Sequence, residues 1–524
     1  MKFFIIIIIF TYISCKSINR MFRICYINSI LSIKKGENNY PFIKRKLKNF
    51  CSMNEYDNIK KFYGNIEEGF NSNKSPPYLL KFKNSNDVLA YTDKIDSDCL
   101  NQIKNLAKLK IIKGHVTILP DVHLGKGIII GSVFLTKDFI IPNGVGVDIG
   151  CGILCVKINN LKKKDLNDRI INNIYNKIKK NIPLSFDCHD KEIFDSKTVF
   201  SNLLNKYASK NIKDIIKPKH LQQLGTLGGG NHFIEIVYDA TYSNQKNKMQ
   251  KSLDNNIHNN IYEDDINNSI DKKYNNICDN NVSNNVCDEQ NFNNSDIYIL
   301  IHSGSRNIGK TTAEFYDILA SEESKMKRND LAYLDLRKEN GKNYIKDMKL
   351  CLEYAKYNRI YMMKTIEKII YEEVKCTLNW ENSINIHHNF CNYEMVTYID
   401  KNEIKNDYMY VTRKGSTSSK KDEYGIIPGN MKTGSYIVKG KGNMLSYNSC
   451  SHGCGRLLSR TKAKQIINQN DFVNIMKGIK CDTNKKIRDE APQAYKNINE
   501  VLKNQDSLIY VIKKLLPIIN IKGF

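Results

Sequence analysis

Fifteen cysteines are present, an odd number, and no two of them form a CxxC pair. That scatter argues against a disulfide framework and against a zinc ribbon, so the thiols are read as reduced. Long apolar runs are also missing: the apolar-rich stretch Phe3 to Ile13 has only eleven residues, too few to cross a bilayer as a helix. Acid is in short supply, with 55 Asp and Glu against 80 Lys and Arg, a formal charge of +25. A field of that sign concentrates polyanions at the surface and makes nucleic acid a sensible partner, although solvated Lys-rich loops are the plainer reading of the same surplus. No internal repeat is found.

What is present begins with an address. Lys2 precedes the apolar stretch and Ser14 to Ser17 follow it, the pattern of a signal-peptide core. Residues 1–75 hold thirteen Lys and Arg against five Asp and Glu, with much Asn and Ser, as organellar transit segments do. The expectation is a disordered leader that sends the chain through the secretory route to an organelle such as a plastid, with no membrane anchor in the mature form; otherwise the chain is cytoplasmic. Motif-bearing sequence then fills residues 76–524, enough for one large domain. Residues 241–296 interrupt it. Roughly one residue in three there is Asn, a composition that cannot bury enough apolar surface to offset the entropy of ordering, so a disordered insertion is expected.

Strand-like runs are Val116 to Leu119, Gly127 to Leu135, Ile153 to Ile158, Phe233 to Tyr238, Ile297 to Ile301, Tyr408 to Thr412 and Ser435 to Val438. Helical spacing covers residues 162–180 and 343–374, the second with a tyrosine stripe that reads as core. The mixture predicts an α/β domain of mixed α+β character.

Short polar cassettes carry the chemistry. Asp148-Ile149-Gly150-Cys151-Gly152, Gly228-Gly229-Gly230-Asn231-His232, Ile301-His302-Ser303-Gly304-Ser305-Arg306, His387-His388-Asn389 and Ser451-His452-Gly453-Cys454-Gly455-Arg456 each set a potential metal ligand beside small residues. Glycine lets backbone approach metal or phosphate closely. Thiolate with imidazole suits zinc or a borderline ion, and added carboxylate and phosphate oxygens suit manganese. One such cassette is weak evidence, but His232, His302 and His388 each fall at a strand end or beside Gly or Asn. Gly304-Ser305-Arg306-Asn307-Ile308-Gly309-Lys310-Thr311 also satisfies the P-loop pattern after a strand, so a P-loop NTPase is the alternative. It lacks a downstream apolar strand ending in Asp to complete a magnesium site.

In order along the chain, Pro120-Asp121-Val122-His123-Leu124-Gly125-Lys126-Gly127, Val145 to Gly152, Gly225 to Phe233, His302 to Arg306, His387 to Asn389, Ser451 to Arg456, Asp489 to Lys496 and Ile521 to Gly523 resemble the RtcB family of RNA 3′-phosphate/5′-hydroxyl ligases, in wording closest to bacterial members. The resemblance covers residues 76–524 apart from the Asn-rich insertion. It implies a ligase that uses GTP and two manganese ions to join an RNA 3′-phosphate or 2′,3′-cyclic phosphate end to a 5′-hydroxyl end, in tRNA splicing or RNA repair, with an archease-like activator as a further partner. It implies metal ligation by Asp148, Cys151, His232, His302 and His388, and makes His452 the nucleophile that carries guanylate. Around the nucleotide it places Asn231, His232, Phe233, Ile234, Glu235, His388, Asn389, Pro428, Gly429, Asn430, Met431, Ser435, His452, Gly453, Cys454, Gly455 and Lys522. Arg306, Arg413 and Arg456 are candidates for phosphate or RNA. Asp121 and His123 belong to the motif without an assigned role. Cys454 stands where the family has Ala.

Overall fold

The computed structural model describes residues 75–241, 292–327, 331–400 and 403–523. The expected leader and nearly all of the expected insertion lie outside them.

In chain order the main strands are β1 (Tyr78–Leu80), β2 (Val88–Ala90), β3 (Ile112–His123), β4 (Ile130–Thr136), β5 (Gly152–Lys162), β6 (Phe233–Asp239), β7 (Asp296–Ser303), β8 (Leu378–His387), β9 (Asn389–Asp400), β10 (Glu403–Lys414), β11 (Tyr424–Pro428), β12 (Ser435–Gly440) and β13 (Ile509–Lys522). They build a six-stranded sheet, β1-β2-β3-β4-β10-β9, and an eight-stranded one, β8-β5-β7-β6-β13-β12-β11, with Lys480–Cys481 as its eighth strand, parallel to β13. Neighbours are antiparallel except β2 with β3 and that short strand with β13. Three helices matter most: α1 (Asp168–Asn181), α2 (Arg306–Ser324) and α3 (Glu339–Val374). The mixed α/β expectation holds.

Period-two alternation sorts the strands of the larger sheet into two faces. Ile297, Ile299 and Ile301 of β7 pack with Ile234 and Ile236 of β6 and Val156 and Ile158 of β5 against Ile174 and Ile178 of α1 and Met362, Met363, Ile366 and Ile370 of α3. The opposite face carries Ile153, Cys155, Phe233, Val237, Tyr298, Leu300, Ile426, Ile437 and Leu515. A third cluster joins β3, β4, β9 and β10 to β11 and β12 through Leu119, Val133, Leu135, Val396, Val411, Ile427 and Val438.

Several boundaries differ from expectation for local reasons. The first helix begins at Asp168 rather than at residue 162, because a 3-10 turn occupies Lys163–Asp165 and the Asn167 side chain accepts a hydrogen bond from the Ile170 N–H as an N-cap. The strand expected from Gly127 begins at Ile130. The P-loop alternative also meets a correction. Helix α2 starts at Arg306, so the residues that would wrap a phosphate as an open loop are already helical, and Lys310 is exposed beside Glu314. Among the described residues, no helix is long and apolar enough to cross a membrane.

Candidate metal centre and nucleophile

Strand register brings the donors to one end of the eight-stranded sheet. Gly152 of β5 pairs with Ser303 of β7 and with His387 of β8, Phe233 of β6 pairs with His302, and Lys522 of β13 pairs with Phe233. Alternation then selects a face. Cys151 continues the face of Ile153 and Cys155, His302 that of Tyr298 and Leu300, and His388 that of Ile384 and Ile386. His387, one residue earlier, points the other way and bonds through Nδ1 to the Gly150 carbonyl at 2.8 Å.

The result is a buried cluster centred on one sulfur. Cys151 Sγ lies 3.3 Å from His232 Nε2 and 3.3 Å from His302 Nε2. His302 Nε2 is 3.3 Å from His388 Nε2, and His232 Nε2 is 2.9 Å from Asp148 Oδ2. Cys151, His302 and His388 form one metal-competent triad; Asp148, Cys151 and His232 form another, and the thiol belongs to both. Burial holds His302 and His388 well below the usual imidazole range, so both rings are neutral with lone pairs to offer. Burial, reinforced by the Asp148 carboxylate, pushes the Cys151 thiol well above its usual range. Burial also raises Asp148, but the hydrogen bond and charge of His232 outweigh it and leave the carboxyl below its ordinary value. Four soft or borderline donors and a carboxylate, with too few protons among them to pair every lone pair, fit divalent transition metal.

His452 sits beside this cluster, its ring 4.9 Å from that of His388 between centroids. It follows Ser449–Ser451, a short strand paired with Ser416–Ser418. Asp121, at the far end of β3 and fully buried, fixes it twice: Oδ2 accepts from the His452 backbone N–H at 3.0 Å and from Nδ1 at 2.6 Å. With its proton on Nδ1, the ring carries its lone pair on Nε2. Burial raises the Asp121 carboxyl, yet the adjoining His452 ring brings it below its ordinary value, so it is an anion. His123 bonds through Nδ1 to the Asp121 carbonyl at 2.8 Å, and burial lowers it to about 4. Gly455 closes the turn at φ +73°, where a Cβ would come within 2.3 Å of the Asp121 carbonyl oxygen.

The residues expected around a nucleotide divide by side-chain direction. Glu235 and Lys522 are buried within the same end of the sheet; Asn520 Nδ2 donates to Glu235 Oε1, and Lys522 Nζ lies 2.7 Å from Glu490 Oε2 and over the Phe233 ring. Burial pushes Glu235 up to about 7. Glu490, which burial alone would raise, is held at about 2 by Lys522 and Arg460. Asn389 donates to the Asp148 carbonyl and accepts from the Gly415 N–H. The Pro428 and Gly429 carbonyls accept from the Cys454 N–H and Sγ, holding the His452 turn against the β11–β12 turn. Asn430 uses Oδ1 to cap that turn, accepting from the Lys432 and Thr433 N–H groups. Ser435 is buried, Gly453 packs near the Pro428 carbonyl, and Asn231 is exposed. Two residues face elsewhere: Ile234 is in the helix-side core and Met431 packs with Ala463 and Phe472.

The three arginines part company. Arg413 is fully buried, donating to Glu394, Ser449 Oγ and the Tyr447 carbonyl, so it is corrected to a brace of the β9–β10 hairpin with no face left for phosphate. Arg306 donates to Thr226 Oγ1 and the Ser185 carbonyl. Arg456 is paired with Glu490. Of the two motif residues left without a role by the sequence, Asp121 orients His452 and His123 packs beside it; their place in the Pro-Asp-Val-His motif was the signal.

Five metal-competent donors, four of them buried, lie beside an imidazole oriented by a carboxylate, an arrangement that fits a metal site next to a reactive histidine. Residues 102–523 match the family model for tRNA-splicing ligase RtcB. The chain is 31% identical over 452 residues to the RNA-splicing ligase RtcB of Escherichia coli strain K12, spanning 82% of this chain and 95% of that protein. It is 28% identical over 481 residues to the tRNA-splicing ligase RtcB of Nanoarchaeum equitans, with 81% and 91% spanned. With the RNA-splicing ligase RtcB homolog 2 of Entamoeba dispar it shares 27% identity over 487 residues, 82% and 84% of the two chains. The chain belongs to the RtcB ligase family.

Proposed function

We propose that this protein is a GTP-dependent RNA ligase that seals a 3′-phosphate or 2′,3′-cyclic phosphate end to a 5′-hydroxyl end, in tRNA splicing or RNA repair. The observation that carries the reading is the placement of His452, locked through Nδ1 to Asp121 and 4.9 Å from a ring of the donor cluster. His452 Nε2 attacks the α-phosphorus of GTP; the bond to the β-phosphate oxygen breaks and pyrophosphate leaves. As the ring becomes cationic, the buried Asp121 carboxylate neutralises it. A 2′,3′-cyclic end is first opened by water, which breaks the bond from phosphorus to O2′ and leaves a 3′-phosphate; an oxygen of the RNA 3′-phosphate then displaces the imidazole and takes the guanylate. The 5′-hydroxyl of the second strand attacks the activated 3′-phosphorus and expels GMP, closing the phosphodiester. Asp148, Cys151, His232, His302 and His388 would hold two manganese ions, whose charge would offset the anion developing on the phosphates.

Glu235, Ser435 and Lys522 receive the guanine nucleotide, and an archease-like activator is a further partner. The compartment is an organelle reached through the secretory route; a fusion of residues 1–75 to a fluorescent protein that stayed in the cytosol would refute it. The decisive test of the chemistry is incubation with α-labelled GTP and manganese. An acid-labile covalent adduct is expected on the unmutated protein and none on His452→Ala; turnover of GTP without an adduct would overturn the ligase mechanism.

A further inference from the structure

Four of the donor-bearing segments converge on two consecutive side chains in the middle of α3. Asn358 and Arg359 are both completely buried. Their neighbours on the same helix, Met362 and Met363, fill the core with apolar atoms, as such positions ordinarily do. A guanidinium and an amide persist there only if their hydrogen bonds are met.

Those bonds run to the backbone on either side of the metal ligands. Arg359 Nη1 donates to the Gly150 carbonyl at 3.1 Å and the Ser303 carbonyl at 2.8 Å, the residues just before Cys151 and just after His302. Nε and Nη2 both donate to Asn385 Oδ1, at 3.0 and 2.8 Å, and Nη2 lies 3.3 Å from Nδ1 of His387, the residue before His388. Asn358 Oδ1 accepts from the Gly225 and Thr226 N–H groups at 2.7 and 3.0 Å, in the turn that leads to His232. Its Nδ2 donates to the Thr226 carbonyl, Ser303 Oγ and the Gly304 carbonyl. The carbonyls of Gly150 and Gly304 lie beyond the ends of β5 and β7, where the ladder no longer holds them.

We propose that Asn358 and Arg359 are positioning residues of the metal centre, a polar hub that sets the spacing of Cys151, His302, His388 and the His232 turn from behind the sheet. The proposal rests on the metal reading above and adds to it the groups that make the donors converge. Lysine cannot replace Arg359, because a single ammonium cannot reach Asn385 and two carbonyls in the plane of a fork. Asn358→Asp keeps the acceptor and puts an anion against three acceptors.

The test measures metal rather than turnover. Manganese affinity and stoichiometry are read from the electron paramagnetic resonance of the free ion, and cobalt substitution gives a sulfur-to-metal charge-transfer band that reports Cys151 in the coordination sphere. Arg359→Lys and Asn358→Asp are expected to weaken manganese binding by about tenfold or more and to shift or lose the cobalt band. Should these fail to fold, Asn385→Ala decides. It removes the acceptor of two guanidinium hydrogen bonds from a partly exposed edge-strand position, so chelator-treated protein should stay folded with a lowered melting temperature and should still bind metal more weakly, whereas Asn385→Asp, which keeps an acceptor, should restore both. Folded variants that bind manganese within about twofold of the unmutated protein, with the same cobalt band, would overturn the proposal. An unmutated protein that binds neither ion would overturn the metal reading beneath it.

Discussion

Asp121 and His452 are separated by 331 positions, yet one carboxylate oxygen governs both where the ring sits and which nitrogen keeps a lone pair. No local pattern encodes that partnership, which is why the sequence shows the Pro-Asp-Val-His motif but not its task. Asp121→Asn keeps the shape and removes the charge that balances the cationic ring, so adduct formation should slow about 10²-fold, with nucleotide affinity little changed, in a single-turnover labelling assay. Arg413 illustrates the opposite failure: an arginine at a strand end looks available for phosphate, and only burial reveals that Glu394 has claimed it. Glu235 gives a residue-scale prediction in pH. Its ordinary carboxyl value of 4.5 rises to about 7 because it is buried. Between those values the native state keeps a proton that the unfolded chain has lost, so its contribution to stability is full below 4.5 and is lost as pH rises through about 7. Glu235→Gln removes this dependence. Relative to the unmutated protein, the variant should gain about 2 to 3 kcal/mol between roughly pH 5 and pH 8 in denaturant unfolding.

At the scale of elements, the period of two decides which histidine of the His387-His388 pair joins the cluster, and that much is legible wherever a strand is legible. The strand runs at Ile153 to Ile158, Phe233 to Tyr238 and Ile297 to Ile301 stood out because they are apolar on both faces, as buried strands are. What the sequence could not give is the pairing, since β5 lies between β7 and β8, whose sequences come much later. The P-loop match shows the limit of short patterns, because the same letters fold as the first turns of α2. Helix α3 passes directly over Gly150, whose φ of +76° and contact distance of 3.0 Å from a would-be Cβ to both Ala355 Cβ and Leu352 Cα leave no room for a side chain. Gly150→Ala should therefore cost about 1–3 kcal/mol in unfolding experiments, displace Cys151 and reduce manganese stoichiometry measured on the purified protein.

For the whole molecule, the Asn-rich stretch joins β6 to β7, two strands that are neighbours in the sheet with Tyr238 opposite Ile297. A hairpin needs only a few residues to make that connection. Replacing residues 242–291 by a short Gly-containing turn should leave guanylate adduct formation within about twofold, because loop length enters stability only logarithmically; loss of the adduct in a folded deletion variant would show that the stretch serves the chemistry.

The middle of the eight-stranded sheet is occupied by β13, between β6 and β12, although some 270 residues separate it in sequence from the first of these. While the chain is being made, both neighbours must wait with bare backbone edges turned toward whatever strand comes by. A nascent polypeptide in that condition is a natural client for chaperones and a hazard to its own kind, so yield in heterologous hosts should depend more on folding assistance than on the finished protein's resilience.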